Sequence, residues 1–337
     1  MRLPEQLDKF LFNDLGARFE QSRHAMMVQR DAGPDEVRRY LGTYWPRSFA
    51  ESFRLFELLF WNNEVRHALL DRESIDILCI GPGTGGEVFG LLHLLQYLDR
   101  PYIRVRCFVY EPNTHAEQAL HAIAARFFPN LLIEELSAVP AAGYRQTFDA
   151  IQTVIGQTGL RCDIVLCSKC VNEMYSAEYN AGMNAYERLA LVAEQVLQPE
   201  GVLAVIDICT RPDEQNLAPF VPQILNRELT TYEQRPGSLL RTIFPLSCAF
   251  HAHQCENNGE CFTCMVTPVS YGGRDEYPSK SCARVLARRA FAGRILQGVQ
   301  GVETYRIKEG AGNGCHAGRF VRDAGAIEAA PAFGPLM

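Results

Sequence analysis

The chain has 337 residues, 47% of them hydrophobic and 21% charged, and carries a net charge of −6. That balance fits an ordinary globular protein and excludes a molecule that binds polyanions over its whole surface, so any nucleic-acid contact needs a local basic face. No apolar run reaches the ~18 residues of a membrane span, since Ile75 to Leu98 is broken by glycines, Asp76, Glu87, His93 and Gln96.

The first residues, Met1 to Asp8, contain no apolar signal segment, so a reducing, cytoplasmic (or matrix-like) setting is expected and no membrane partner. Residues 1 to 73 read as an N-terminal helical region. A Gly33-Pro34 break interrupts it, and Pro46 opens a new helix. There Phe49, Phe53, Phe56 and Phe60 recur at helical spacing and make one apolar face, read as core. The stretch just before, Tyr44-Trp45-Pro46-Arg47-Ser48, reads as an exposed loop suited to a lid.

Residues 74 to 240 alternate strand and helix. Strands are expected at Ile75–Ile80, Ile103–Tyr110, Leu131–Leu136, Asp163–Cys167 and Val202–Ile208, with helices at Glu87–Tyr97, His115–Phe127 and Tyr186–Val196. Near-continuous apolar strands with helices between them predict an α/β fold, a parallel Rossmann-like sheet covered on both faces. Ligands of such sheets sit beyond the carboxyl ends of the strands. Residues 241 to 337 change character, becoming a Cys-rich extension with a basic stretch. From Lys280 to Lys308 there are seven Lys and Arg against one acidic residue, and Arg284, Arg288, Arg289 and Arg294 read either as phosphate contacts or as a solvated helix face.

The first strand runs into Gly81-Pro-Gly83-Thr-Gly85-Gly86 and then into a helix. Strand, glycines and helix in that order suit a nucleotide-type ligand, because glycines admit the backbone close to it and the helix start offers N–H groups. Gly81, Gly83 and Gly86 satisfy the dinucleotide pattern G-x-G-x-x-G, while Gly81, Gly83 and Gly85 satisfy the G-x-G-x-G used for S-adenosylmethionine (SAM). Glu111, ending the second strand, would bind ribose hydroxyls in either case. Beyond the fourth strand, Cys167 and Cys170 read as buried thiols rather than a redox pair, and Glu173 as either a general base or a capping carboxylate.

Twelve cysteines are present. Cys79, Cys107, Cys162, Cys167 and Cys209 fall in apolar runs, where a thiol acts as a small hydrophobe. Cys248, Cys255, Cys261 and Cys264 instead crowd into seventeen residues, with His251 and His253 between them. In a reducing compartment such a cluster reads as metal ligands, and thiolates favour zinc or an iron–sulfur cluster. Cys282 and Cys315-His316 read as bystanders.

Ile80-Gly-Pro-Gly-Thr-Gly-Gly-Glu87, Val109-Tyr-Glu-Pro-Asn113, the block Cys162 to Met174 and Gly201 to Asp207 resemble, in order and spacing, the motifs of class I SAM-dependent methyltransferases. The resemblance covers about residues 40 to 210. It implies that Gly81, Gly83 and Gly85 contact the methionyl and ribose parts of SAM and Glu111 the ribose. Ser168 would border the cofactor, and Asn172 and Glu173 the methyl and its acceptor. The acid such proteins often carry two positions before the first glycine is here Cys79. More distantly, the helical lead-in, Val171-Asn-Glu-Met174 and Phe244-Pro-Leu-Ser-Cys-x-x-His251 resemble methyltransferase-like proteins of the small ribosomal subunit, which hold an iron–sulfur cluster beside the SAM domain. The resemblance therefore implies SAM-dependent methyl transfer to RNA or a ribosome-associated substrate. Two alternatives stand beside it, a non-catalytic SAM- and metal-binding assembly factor and a small-molecule methyltransferase.

Overall fold

The computed structural model describes residues 1–20, 32–100, 103–136, 144–177, 184–210, 219–251, 265–297, 299, 302–306 and 316–320. Four helices come first: α1 (Glu5–Lys9), followed by a short π turn, α2 (Pro34–Thr43), α3 (Trp45–Leu59) and α4 (Asn63–Leu70). Each later start has a local cause. Pro34 occupies the first turn of α2, whose Glu36 carboxylate accepts from the Gly33 N–H at 2.5 Å. Pro46 does the same for α3, and the Asn62 side chain caps α4 by accepting from Val65 N at 3.2 Å. Phe49, Phe53, Phe56 and Phe60 are all buried, as their spacing predicts. The expected lid loop before them is instead the joint between α2 and α3. Trp45 is fully buried there, with its indole N–H donating to Thr84 O at 3.0 Å.

β1 (Ser74–Ile80), α5 (Gly86–Tyr97), β2 (Arg104–Tyr110), α6 (Thr114–Phe127), β3 (Leu131–Glu135), α7 (Tyr144–Thr158), β4 (Cys162–Ser168), α8 (Val171–Ala177), α9 (Ala185–Val196) and β5 (Leu197–Ile208) follow, strands alternating with helices and two helices lying between β4 and β5. These five strands pair in parallel in the order β3-β2-β1-β4-β5. The fold is the expected Rossmann-like α/β sheet. Its strand order reverses between β1 and β4, which puts the ligand crevice at the carboxyl ends of those two strands.

The sheet does not stop at residue 240. After α10 (Val221–Gln234) come β6 (Leu240–Phe244), α11 (Leu246–His251), β7 (Met265–Tyr271), β8 (Arg274–Arg288) and α12 (Arg289–Gln297). β8 pairs antiparallel with β5, β6 and β7, so the order continues β5-β8-β6 and the expected break at 240/241 falls inside β6. A separate antiparallel pair, β9 (Val302–Arg306) and β10 (His316–Phe320), lies further on. Among the described residues no helix is long and apolar enough to cross a membrane.

Four arginines of the basic stretch, Arg284, Arg288, Arg289 and Arg294, are already engaged. Arg284 is buried on β8 and donates to the Asn226 amide oxygen. Arg288 reaches the carbonyls of Leu197 and Glu194, at 2.7 and 2.8 Å. Arg289 donates to Ser238 O at 2.7 Å, and Arg294 pairs with Glu64 and Glu200. A phosphate would have to displace these partners, so the phosphate reading of these four residues is not supported.

One contact sets the geometry of the site. α3 lies against α5 with only glycine between the backbones: a Cβ on Gly90 would stand 2.2 Å from Phe49 O, and one on Gly86 2.7 Å from Trp45 O. The Gly86-x-x-x-Gly90 spacing puts both on one helix face and brings α3 over the start of α5.

Candidate functional site

The glycine turn leaves β1 at the switch point. Gly81, Gly83 and Gly85 all have positive φ, +61°, +55° and +79°, where a Cβ is strained. At Gly81 space is also short, since a Cβ would meet Cys170 Sγ at 2.4 Å. The three glycine N–H groups are used within the protein: Gly81 N donates to Tyr110 O at 2.9 Å, Gly83 N to Glu111 Oε2 at 2.7 Å and Gly85 N to Pro82 O at 2.8 Å. The glycines therefore supply room and chain direction, and the polar contacts fall to neighbouring side chains.

Glu111 stands at the end of β2, facing the turn. Its second oxygen accepts from Asn113 N at 2.9 Å, leaving a lone pair on each oxygen for a hydroxyl. Burial pushes this carboxyl up to about 7, against the pull of the two backbone N–H groups. Asn113 caps α6 through Ala116 N at 2.9 Å and ties that cap to Ala32 O at 3.0 Å. Tyr40 of α2 lies over Gly83, 3.7 Å from where a Cβ would be. Burial first, then the carboxylates of Glu173, Glu87 and Glu111, raise its phenol well above the ordinary range.

Behind the turn lies a buried polar network that the sequence reading missed. Lys169, just past β4, is 6% exposed and adopts φ +54°. Its ammonium sits 2.8 Å from Glu51 Oε2 and 3.1 Å from Ser48 Oγ, both on α3. Glu51 is fully buried, and its other oxygen accepts from Ser279 Oγ of β8 at 2.5 Å. Glu87, second residue of α5, is 3% exposed, and its Oε1 has no hydrogen-bond partner among the described residues. Burial raises its carboxyl to about 8, opposed by its own backbone N–H and by the Lys169 charge. A Glu within an otherwise apolar helix face, and a Lys between two cysteines, were the available signals.

The structure sorts the expected site residues. Gly81, Gly83, Gly85 and Glu111 come together as described. Ser168 closes β4 two residues beyond Leu166, which pairs with Cys79, so it stands level with Gly81 on the neighbouring strand. It is 4% exposed, and its Oγ lacks a partner among the described residues, as does Oγ1 of the fully buried Thr84 in the turn. Asn172 is buried and committed: with its amide turned to satisfy both partners, the nitrogen donates to Asp207 Oδ1 at 2.8 Å and to Lys169 O at 2.6 Å. Asp207, at the end of β5, also accepts from Tyr186 OH at 2.7 Å and Ile208 N at 2.8 Å, and burial holds its carboxyl up at about 7. Asn172 thus braces the ends of β4 and β5. Glu173 is half-buried beside Tyr40 and Cys170.

Cys79 is a core thiol, fully buried and 3.4 Å from Cys107 Sγ, with burial raising it well above the ordinary thiol range. Of the expected metal ligands, Cys248 lies half-buried on α11, while Cys255, Cys261 and Cys264 lie outside the described residues.

The residues present fit SAM at the turn. Ser168 and Thr84 hydroxyls and a Glu87 carboxylate oxygen, without partners among the described residues, accompany a turn of positive-φ glycines, a donor and acceptor set that suits the polar groups of SAM.

No protein-family model matches the chain, and no curated protein matches it. Several solved structures are similar in fold. Coclaurine N-methyltransferase bound to N-methylheliamine and SAH is 12% identical, the match covering 61% of this chain and 45% of that one at a TM-score of 0.29. The DszA carbon methyltransferase is 16% identical over 74% of this chain and 55% of its own, TM-score 0.40. Fibrillarin of Aeropyrum pernix, with natively bound SAM, is 13% identical over 67% and 76%, TM-score 0.31. The chain spans about half the length of the first two.

Proposed function

We propose that this chain binds SAM at the Gly81–Gly85 turn and transfers its methyl group. The observation that carries this reading is the coupling of the turn to Glu111: three positive-φ glycines at the end of β1, with the Gly83 N–H held by a carboxylate that ends β2 and keeps lone pairs for ribose hydroxyls. When bound, SAM supplies an electrophilic methyl group on a sulfonium. What remains for the protein is to bind, orient and deprotonate the acceptor. Glu111 takes the ribose. Ser168 and Thr84 give their free hydroxyls to the polar groups beside it. Tyr40 and α3 cover the turn and keep water out. Glu173 is the carboxylate positioned to take a proton from the acceptor, and Asn172 holds its loop in register through Asp207.

The acceptor we propose is RNA or a component of the small ribosomal subunit, a reading that rests on the sequence resemblance; the engaged arginines add nothing to it. The same resemblance supports a thiolate-bound metal, as zinc or an iron–sulfur cluster, at Cys248, Cys255, Cys261 and Cys264. A second reading, binding without catalysis, is favoured by one observation: Cys79 offers no charge beside the turn.

Isothermal titration with SAM and with NAD tests the cofactor. Binding of SAM and not NAD is expected, and the reverse would sink the reading. Labelled SAM offered with RNA, ribosomal subunits and small-molecule acceptors then separates transfer from binding alone.

A further inference from the structure

We propose that Glu87 is the carboxylate that receives the α-ammonium group of the methionyl part of the bound ligand, in place of the charge that Cys79 cannot supply. The inference rests on the SAM reading above and goes beyond it to one residue.

Three observations carry it. First, the position before the turn is chemically closed: Cys79 faces Cys107 in the sheet core, 3.4 Å sulfur to sulfur, with no exposed surface. Second, Glu87 follows directly on the glycine turn, is 3% exposed, and leaves Oε1 without a partner among the described residues. A buried carboxylate in that state is costly unless it keeps a proton or meets a cation. Third, no cation is left over for it among the described residues. Lys169, whose charge acts on Glu87, lies 2.8 Å from Glu51 and is matched by it. The other described groups with the largest mutual effect on Glu87 are Glu111 of β2, Glu51 of α3, Tyr40 of α2 and the Cys79 thiol of β1, and none of these is a cation. The hydroxyls of Ser168 and Thr84, without partners among the described residues, belong to the same turn and the strand end beside it, so among the described residues the site is short of one positive charge and some polar partners. A ligand with an adenosine end and an amino-acid end supplies both.

Binding is then linked to a proton. With the carboxyl held up at about 8, Glu87 must release its proton to meet the ammonium. Affinity for ligands that carry the amino acid rises with pH over the range in which the ligand amine stays charged, below about 7.7.

The test uses the whole 337-residue chain, titrated with SAM, with S-adenosylhomocysteine and with 5′-methylthioadenosine; the last lacks the amino-acid end, and neither of the last two carries a sulfonium. Glu87→Gln is expected to weaken S-adenosylhomocysteine by about tenfold to a hundredfold, the worth of one charge-assisted hydrogen bond, and methylthioadenosine by less than twofold. In the wild type, S-adenosylhomocysteine should gain more affinity between pH 6.0 and pH 7.5 than methylthioadenosine, which shares only the part of the rise that Glu111, held at about 7, contributes at the ribose. An unchanged affinity for S-adenosylhomocysteine in Glu87→Gln overturns the proposal, as does a loss confined to SAM, which would place the carboxylate at the sulfonium. If the variant loses both ligands together, the wild-type pH profiles decide: a steeper rise for S-adenosylhomocysteine than for methylthioadenosine upholds the assignment, and parallel profiles refute it. A wild type that binds none of the three ligands overturns the SAM reading itself, a result distinct from every failure of Glu87 alone.

Discussion

Replacing Lys169 by Met removes one half of the buried pair that ties the end of β4 to α3. The ammonium lies 2.8 Å from Glu51 Oε2 with side-chain exposures of 6% and 0%, so the carboxylate left behind has neither water nor a second cation. It keeps one hydrogen bond, from Ser279 Oγ at 2.5 Å. Breaking such a pair from one side costs about 3–5 kcal/mol, most of it the uncompensated buried charge. For 337 residues the unfolding entropy is about 0.7 kcal/mol/K, so a loss of about 4 kcal/mol lowers Tm by about 6 °C. Lys169 also holds a left-handed φ of +54°, a strain of about 1–3 kcal/mol that the substitution leaves in place while removing the contact that offsets it. Urea unfolding of Lys169→Met, Glu51→Gln and the double variant forms a closed cycle. The double variant should cost less than the two singles added together by about 1–3 kcal/mol, because the orphaned charge disappears. A Lys169→Met cost below about 1 kcal/mol, or strict additivity, would refute the argument that this pair holds α3 over the turn.

Three further outcomes follow from the same geometry. Gly90→Ala places a Cβ 2.2 Å from Phe49 O, so α3 and α5 must part; a loss of about 1–3 kcal/mol in thermal melts is expected, together with weaker SAM binding. An unchanged Tm would show that the contact can give way without cost. Gly81→Ala meets a φ of +61°, Cys170 Sγ at 2.4 Å and Cys170 Cβ at 2.9 Å, so adding Cys170→Ala should recover the part of the clash due to sulfur and leave a residual of at least about 1–2 kcal/mol from the backbone and the remaining Cβ; full recovery would discount both. Stability should also fall as pH rises from 5 to 8. Glu87 is held at about 8, and Glu111 and Asp207 at about 7, against ordinary values of 4.5, 4.5 and 3.8. In that window the folded chain binds more protons than the unfolded one, so the sign is a loss with increasing pH. Asp207→Asn should flatten the part of the slope between about pH 4 and 7, and a melting profile that rises over this window would contradict the burial argument.

The parts of the molecule that could be read in advance are those where one local rule dominates. β1, the glycine turn and α5 follow from an apolar run, three obligatory positive-φ positions and a helical repeat, and Glu111 follows from its place at a strand end. α7 was missed although Phe148, Ile151 and Ile155, all buried, recur at three and four residues; its polar remainder, Gln152, Gln157 and Thr158, hid the stripe. β7 and β8 were missed for a different reason. Pro268 and Pro278 face each other across that antiparallel pair, and prolines in a short run argue against a strand unless a partner's register accommodates them.

The functional centre was half legible for a physical reason that bears on its chemistry. Glycines and strand-end acids announce themselves through the backbone, whereas Glu51, Glu87 and Lys169 acquire meaning only when α3 lies on α5. That approach depends on Gly86 and Gly90, which bring Ser48 and Glu51 near the end of β4. Once there, Glu51 engages the buried Lys169 ammonium and leaves Glu87 without a counter-charge among the described residues. Under the assignment proposed for Glu87, the carboxylate that meets the amino-acid group follows the three glycines instead of preceding them. This is why the neutral Cys79 does not by itself argue against a bound amino-acid group: the compensating carboxylate is set by helix packing, and the strand that precedes the turn carries no sign of it.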